Sequence, residues 1–188
     1  MEIDQPVLIA LGSNQAFENT GSAEVLNLAL AELGKRGAEV VRQSRFFRTP
    51  CFPAGAGPDF VNAAAQLRTG LTPTEVLALL HEIESSLGRL RQQRWGARTV
   101  DLDLLAYGQL VLPDLGVFQS WRDLPLGQQM RLTPQQLILP HPRLQDRAFV
   151  LVPLLDIAPD WTHPVLGRTI REICADLPEA AIKEVRAL

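Results

Sequence analysis

Phe60-Val61-Asn62-Ala63-Ala64-Ala65-Gln66-Leu67, followed by the box Thr72-Pro73-Thr74-Glu75 and then by Val76, Leu77, Leu79, Leu80, Ile83 and Leu87, is the stretch that decides the fold. Its first part is extended and places Phe60, Asn62, Ala64 and Gln66 on one face, Val61, Ala63, Ala65 and Leu67 on the other. The Thr-x-x-Glu spacing with proline in the first turn is a helix start, the apolar residues recur at helical spacing, and Gly88 closes the segment. A strand therefore runs into an amphipathic helix.

Working outward, Pro6 to Leu11 is a compact apolar run that reads as a buried strand meeting a turn at Gly12-Ser13-Asn14. From Ser22 onward, Val25, Leu26, Ala29, Leu30 and Leu33 mark a first helix that Gly34 and Gly37 end. Glu39 to Phe47 mixes β-branched, aromatic and charged residues as a half-exposed strand does, and the Pro- and Gly-rich segment 49–58 is a loop. Beyond the second helix, Thr99 to Tyr107 alternates acid and leucine with the period of a strand. Gly108 to Gln136 reads as a flap or insertion, Leu137 to Leu139 as a strand, Ala148 to Ile157 as a short helix interrupted at Pro153, and Thr169 to Ala175 as a small terminal helix. The order β-α-β-β-α-β predicts an α+β, ferredoxin-like split β-α-β sandwich. Its largely antiparallel sheet has helices packed on one face and the other face open. One catalytic domain over residues 1–188, with the excursion at 108–136, is the expected organisation.

The 188 residues are 46% hydrophobic and 21% charged with a formal net charge of -3, which disfavours a generally basic nucleic-acid coat. Charge-based function must then be local. The start Met1-Glu2-Ile3-Asp4 lacks a signal peptide's basic and apolar pattern, and no apolar run reaches a membrane span, so a cytoplasmic chain without membrane association is expected. Cys51 and Cys174 have no metal-ligand spacing and read as free thiols; His81, His141 and His163 likewise lack the spacing of a zinc site.

Two local features carry chemistry. In Asp101-Leu102-Asp103 the strand period puts both carboxylates on one face about 6 to 7 Å apart, with Leu102 and Leu104 toward the core. Such a pair suits a hard divalent cation, which takes one or two carboxylates and completes its shell with water and phosphate. Just before it, Gly88-Arg89-Leu90-Arg91-Gln92-Gln93-Arg94-Trp95-Gly96-Ala97-Arg98 holds four arginines in eleven positions and no acid, so an anion is its natural partner. Polyphosphate loaded with metal joins the two. No P-loop or Rossmann glycine pattern is present. A module that binds nucleotide or RNA without catalysis, through the arginines and Trp95, and a two-metal nucleotidyltransferase or nuclease are the competing readings. The paired acids argue against the first and the acidic net charge against the second.

Together LGSN (11–14), RTP (48–50), DFVNAA (59–64), GRLRQQRWGARTVDLDLL (88–105) and PHPRLQDRAF (140–149) resemble the 6-hydroxymethyl-7,8-dihydropterin pyrophosphokinase family of folate biosynthesis. The resemblance implies transfer of pyrophosphate from ATP to the pterin hydroxymethyl group, with release of AMP. It implies two Mg²⁺ ions on Asp101 and Asp103, and a catalytic set of those acids with Arg89, Arg91 and Arg94. Glu84, Trp95, Arg98, His141 and Arg147 fall at nucleotide-binding positions, and Arg91 and Arg94 on a lid. The pterin would stack between Phe60 and Phe149, with Asn62 and the main chain near Thr49, Pro50 and Phe52 reading its edge. No nucleic acid and no obligate protein partner are implied. The chain departs from the family pattern at four places. The Arg91–Arg94 interval is one residue short, His81 stands where glutamine is common, Pro142 replaces an aromatic, and the excursion is long.

Overall fold

The computed structural model describes residues 5–51, 57–88, 99–129 and 131–188. Six strands, β1 (Val7–Ser13), β2 (Ala38–Gln43), β3 (Phe47–Thr49), β4 (Phe60–Thr69), β5 (Asp101–Tyr107) and β6 (Arg186–Ala187), form one sheet in the order β5-β1-β4-β3-β6, with β2 also on β4. Every pairing is antiparallel. With β2 and β3 taken as halves of one interrupted strand, the order is fourth, first, third, second, the expected split β-α-β plan.

The interruption has a cause. Ser44 leaves the ladder, donates its N–H to Ala64 O at 2.9 Å and accepts the Ala64 N–H on its Oγ at 2.9 Å. The single strand expected over Glu39 to Phe47 is therefore split, and its second half runs on to Thr49.

Helices α1 (Ser22–Lys35) and α2 (Pro73–Ser86) cover one face. Their Val25, Leu26, Ala29 and Leu33, with Val76, Leu80 and Ile83, pack on Val7, Ile9, Leu11, Ala63, Ala65, Leu102 and Leu104. The expected box is present: Thr72 Oγ accepts the Glu75 N–H and Glu75 accepts the Thr72 N–H at 2.7 Å, which supports the helix start by about 1 kcal/mol.

Contrary to expectation, the second face is not left open. Helix α5 (Ala148–Ile157) lies across it, backed by α6 (Ile170–Ala175), so that Val150, Leu151, Leu154, Ile157, Ile170 and Ile173 bury Leu8, Ala64, Leu105 and Ala106. Ten residues with almost no polar side chain cannot present one wet face, and such a helix must be covered on most sides. It also runs through Pro153 without interruption. In β4 the run Ala63-Ala64-Ala65 is fully buried, its outer two methyls in the first core and the middle one in the second.

Two further expectations need correction. Leu137–Leu139 is not a strand; only Leu139 bridges, to Leu112, before the prolines at 140 and 142 end extended pairing. The excursion is not featureless, since it contains α3 (Leu115–Arg122) and α4 (Leu126–Gln129). Asp114 caps α3 by accepting the Val117 N–H at 2.9 Å, and Phe118 is wholly buried with its ring 5.8 Å from that of His163. A single inward phenylalanine in a short helix leaves too little periodicity to read. Helix α7 (Glu179–Lys183) leads into β6, which adds to the β3 edge. Among the described residues no helix is long and apolar enough to cross a membrane.

Candidate active site

Three neighbouring strands meet at one row. Gly12 of β1 is paired with Asn62 of β4 on one side and with Asp101 of β5 on the other. The turn expected at Gly12 does not occur there; β1 continues through Ser13, and both Ser13 and Asn14 are buried. A Cβ on Gly12 would stand 3.2 Å from Asn62 Oδ1 and 3.9 Å from the Phe60 ring, so hydrogen at this position is what keeps the floor between the strands clear. Glycine inside an apolar strand is a sign of such close approach. The LGSN segment carries that sign, which the turn reading passes over.

Asn62 is buried and donates from Nδ2 to Thr49 Oγ1 at 2.7 Å, so the first two of the expected ring-reading residues are joined. Asn14 Nδ2 donates to Pro58 O at 3.3 Å, tying the end of β1 to the chain that enters β4. Pro50 is exposed and lines a surface cavity of about 320 Å³ with Arg48, Asp59, Glu184 and Arg186. Phe52, Arg89, Arg91, Arg94, Trp95 and Arg98 lie outside the described residues.

On β5 the acids face the side of the sheet that α5 covers. The pairing with β1 shifts register opposite Leu8 and Ile9, leaving Leu105 as an extra residue, a bulge. The Leu105 carbonyl accepts the His141 N–H at 2.7 Å. The bulge thus places His141 beside the acid-bearing end of the strand. The Glu84 carboxylate of α2, 1% exposed, accepts the N–H of Leu102 at 2.8 Å. That bond grips the edge strand at the residue between the two acids, so Glu84 fixes the backbone from which both project.

Arg147, at the N-cap of α5, brings its Nη1 to 3.7 Å from Asp103 Oδ2, and its guanidinium carbon lies 5.6 Å from the Phe149 ring centroid. Acid, guanidinium and ring are thereby brought together. Phe149 is 40% exposed, an unusual state for a large apolar ring beside a charged cluster and a suitable one for a stacking face. Two carboxylates on one strand face suit magnesium when phosphate and water supply the other ligands, and Asp101 and Asp103 meet that donor requirement. Among the described residues, no group of three or more His, Cys, Asp and Glu side chains gathers for a metal.

His141 Nδ1 accepts the Arg143 N–H at 3.1 Å, which leaves the proton on Nε2. Burial, then the Arg147 and Arg143 guanidiniums, push its pKa down to about 3, against a smaller upward pull from Asp101. His163 is fully buried; burial and Arg122 push it down to about 4, and its Nδ1 accepts the N–H groups of Val165 and Leu166. Both rings are neutral in the folded chain at pH 7, whereas unfolded histidine titrates near 6.5. The unfolded state therefore binds more protons below pH 6.5, and stability, complete above that value, falls as pH drops toward 4 and then 3. For His163 the slope reaches about 1.4 kcal/mol per pH unit. The lowered carboxylates, such as Glu75 and Asp156, act only at lower pH. The midpoint of thermal unfolding should thus fall between pH 7 and 5, and His163→Phe should flatten the fall; equal midpoints in the wild type would refute it.

A family model for 7,8-dihydro-6-hydroxymethylpterin-pyrophosphokinase matches residues 8–159. The chain belongs to this family. Among its pyrophosphokinase relatives, a Synechocystis protein named 2-amino-4-hydroxy-6-hydroxymethyldihydropteridine pyrophosphokinase is 40% identical over 155 residues, which are 82% of this chain and 69% of that protein. One of the same name from Pseudomonas aeruginosa is 37% identical over 181 residues, 96% of this chain and 97% of its own length. The crystal structure of Plasmodium falciparum HPPK-DHPS wild type with pteroate is similar in fold, with a TM-score of 0.65 at 14% identity over 91% of this chain. The match spans 44% of that longer chain. The pyrophosphokinase fold thus holds the Asn62, Gly12, Asp101 row near one end of three adjacent strands, with Arg147 at the N-cap of α5 close to Asp103.

Proposed function

We propose that the chain transfers the pyrophosphoryl group of ATP to the hydroxymethyl oxygen of 6-hydroxymethyl-7,8-dihydropterin, giving the pterin diphosphate and AMP in folate biosynthesis. Family membership supports the reaction. The observation that carries the site is the row Asn62, Gly12, Asp101 on three adjacent strands. Two interstrand steps separate the amide from the acid by about 10 Å, an interval a bicyclic ring with a one-carbon arm can bridge.

In this reading the ring lies over Gly12 and stacks between Phe60 and Phe149. Asn62 reads its edge, held by Thr49, together with the main chain near Pro50 and Phe52. Asp101 and Asp103 would hold two magnesium ions, which when bound would supply phosphate binding and neutralisation of charge on the departing oxygen. Arg147 spans the two halves, close to Asp103 and over Phe149. Arg89, Arg91, Arg94 and Arg98 take phosphate oxygens, and Trp95 and neutral His141 the nucleotide. Glu84 acts through the Leu102 N–H, as a positioning residue for the acids. The substrate alcohol is itself the nucleophile, so alignment and charge neutralisation supply the catalysis. In this reading the chain works in the cytoplasm, and the reaction itself calls for neither nucleic acid nor a second protein.

Incubation with ATP, Mg²⁺ and the hydroxymethyl pterin tests the proposal. AMP should accumulate only when all three are present. Formation of ADP, or of AMP without the pterin, would contradict it.

A further inference from the structure

Arg143 is a partly covered cation. It sits two residues beyond His141, half-buried, at the start of the short turn Leu144–Asp146, and Leu144 anchors that turn in the second core. Its Nε is covered and meets no acceptor. No carboxylate stands within ion-pairing distance of its guanidinium among the described residues, while the neighbouring Arg147 leans toward Asp103. Burial and the Arg147 charge both work against the Arg143 cation, and Asp146 offsets them only in part. Arginine does not shed its proton in proteins, so Arg143 stays charged and attracts an anion.

The position of this cation is informative. The His141 N–H donates to Leu105 O of β5 at 2.7 Å and its Nδ1 accepts the Arg143 N–H at 3.1 Å, so the Arg143 backbone is tied through His141 to the strand that bears the acids. We infer that Arg143 is a further polyphosphate-binding residue of this site, taking a phosphate oxygen of the nucleotide next to Arg147. This rests on the nucleotide reading above and adds a residue to it. An exposed, fully solvated arginine would need no such partner; a half-buried one with no carboxylate in reach among the described residues does. Arg143 and Arg147 cap the two ends of the three-residue turn Leu144–Asp146, so they can hold one polyanion from two directions.

Calorimetric binding of a magnesium-loaded, non-hydrolysable ATP analogue tests the inference in the whole chain. Arg143→Gln should weaken the analogue about tenfold or more, as expected for loss of a charge-assisted hydrogen bond, and Arg143→Lys should restore part of it. Adenosine affinity and KM for the pterin should stay within about twofold of wild type, which a merely structural role for Arg143 would not spare. Unchanged analogue binding in Arg143→Gln, or equal weakening of analogue and adenosine, would overturn it. Should the variants fail to fold, the wild-type chain decides. Magnesium tripolyphosphate should shield Arg143 from phenylglyoxal while adenosine does not, and equal modification under both would overturn the inference. The calorimetric and protection readouts need no turnover. A chain that binds ATP through Arg143 yet forms no AMP overturns the pyrophosphokinase proposal alone, and AMP formation with Arg143-independent ATP binding overturns this inference alone.

Discussion

Asp103→Ala is expected to lower AMP formation about 1,000-fold or more while the chain stays folded. The side chain is 37% exposed and its ion pair with Arg147 is long, 3.7 Å, so its loss costs the fold less than about 1 kcal/mol. The reaction, in contrast, loses half of the carboxylate pair proposed to hold magnesium against the phosphates, an effect worth several kcal/mol in the transition state. Asp103→Asn should behave alike, because shape is kept and only the charge is removed. The check is AMP release across a magnesium titration, alongside thermal unfolding. Turnover within tenfold of wild type at saturating magnesium would remove Asp103 from the metal site.

Gly12→Val should lower kcat/KM for the pterin about 100-fold with little change in the unfolding midpoint. Valine favours extended backbone, and Gly12 already lies within strand β1, paired on both sides, so the fold has no reason to resist. Its side chain would meet Asn62 Oδ1 and the Phe60 ring, the first at 3.2 Å for Cβ alone. The added methyls must then push the Asn62 amide off Thr49 or occupy the ring's place on the floor. Gly12→Ala asks for a few tenths of an ångström and should cost only a few-fold. Steady-state kinetics with each substrate varied in turn separates the cases: the valine variant should raise KM for the pterin and leave KM for ATP near wild type. An unchanged pterin KM would show that the ring does not lie over Gly12.

The core sandwich was readable because its signals are local. The Thr72 box, the leucines of α2 and the acid–leucine alternation of β5 each declare an element within a few residues. Asp101 and Asp103 declare themselves in the same way, since a strand of known period fixes which side chains share a face. What escaped depends on residues distant in sequence. The covering of the second face needs α5 to be docked, and its evenly apolar sequence says that it is buried but not against what. The break at Ser44 depends on Ala64, twenty residues away. Glu84 shows its role only when Leu102 is beside it, and Gly12 only when Asn62 is opposite. Arg143 lies within PHPRLQDRAF, but no local period marks it as a ligand; only its covered side chain and the lack of a carboxylate within ion-pairing distance among the described residues set it apart.

The three consecutive alanines of β4 have a mechanical consequence. One methyl group per residue is all that fills the sheet there, and alanine has no rotamer with which to absorb a push. Asn62 begins where that run leaves off, so a substitution behind the sheet, at Leu26 or Leu80 for instance, need not touch a ligand to disturb how the amide presents itself. Turnover defects from changes in the α1–α2 layer would then reflect displaced backbone, transmitted through a wall only one carbon thick.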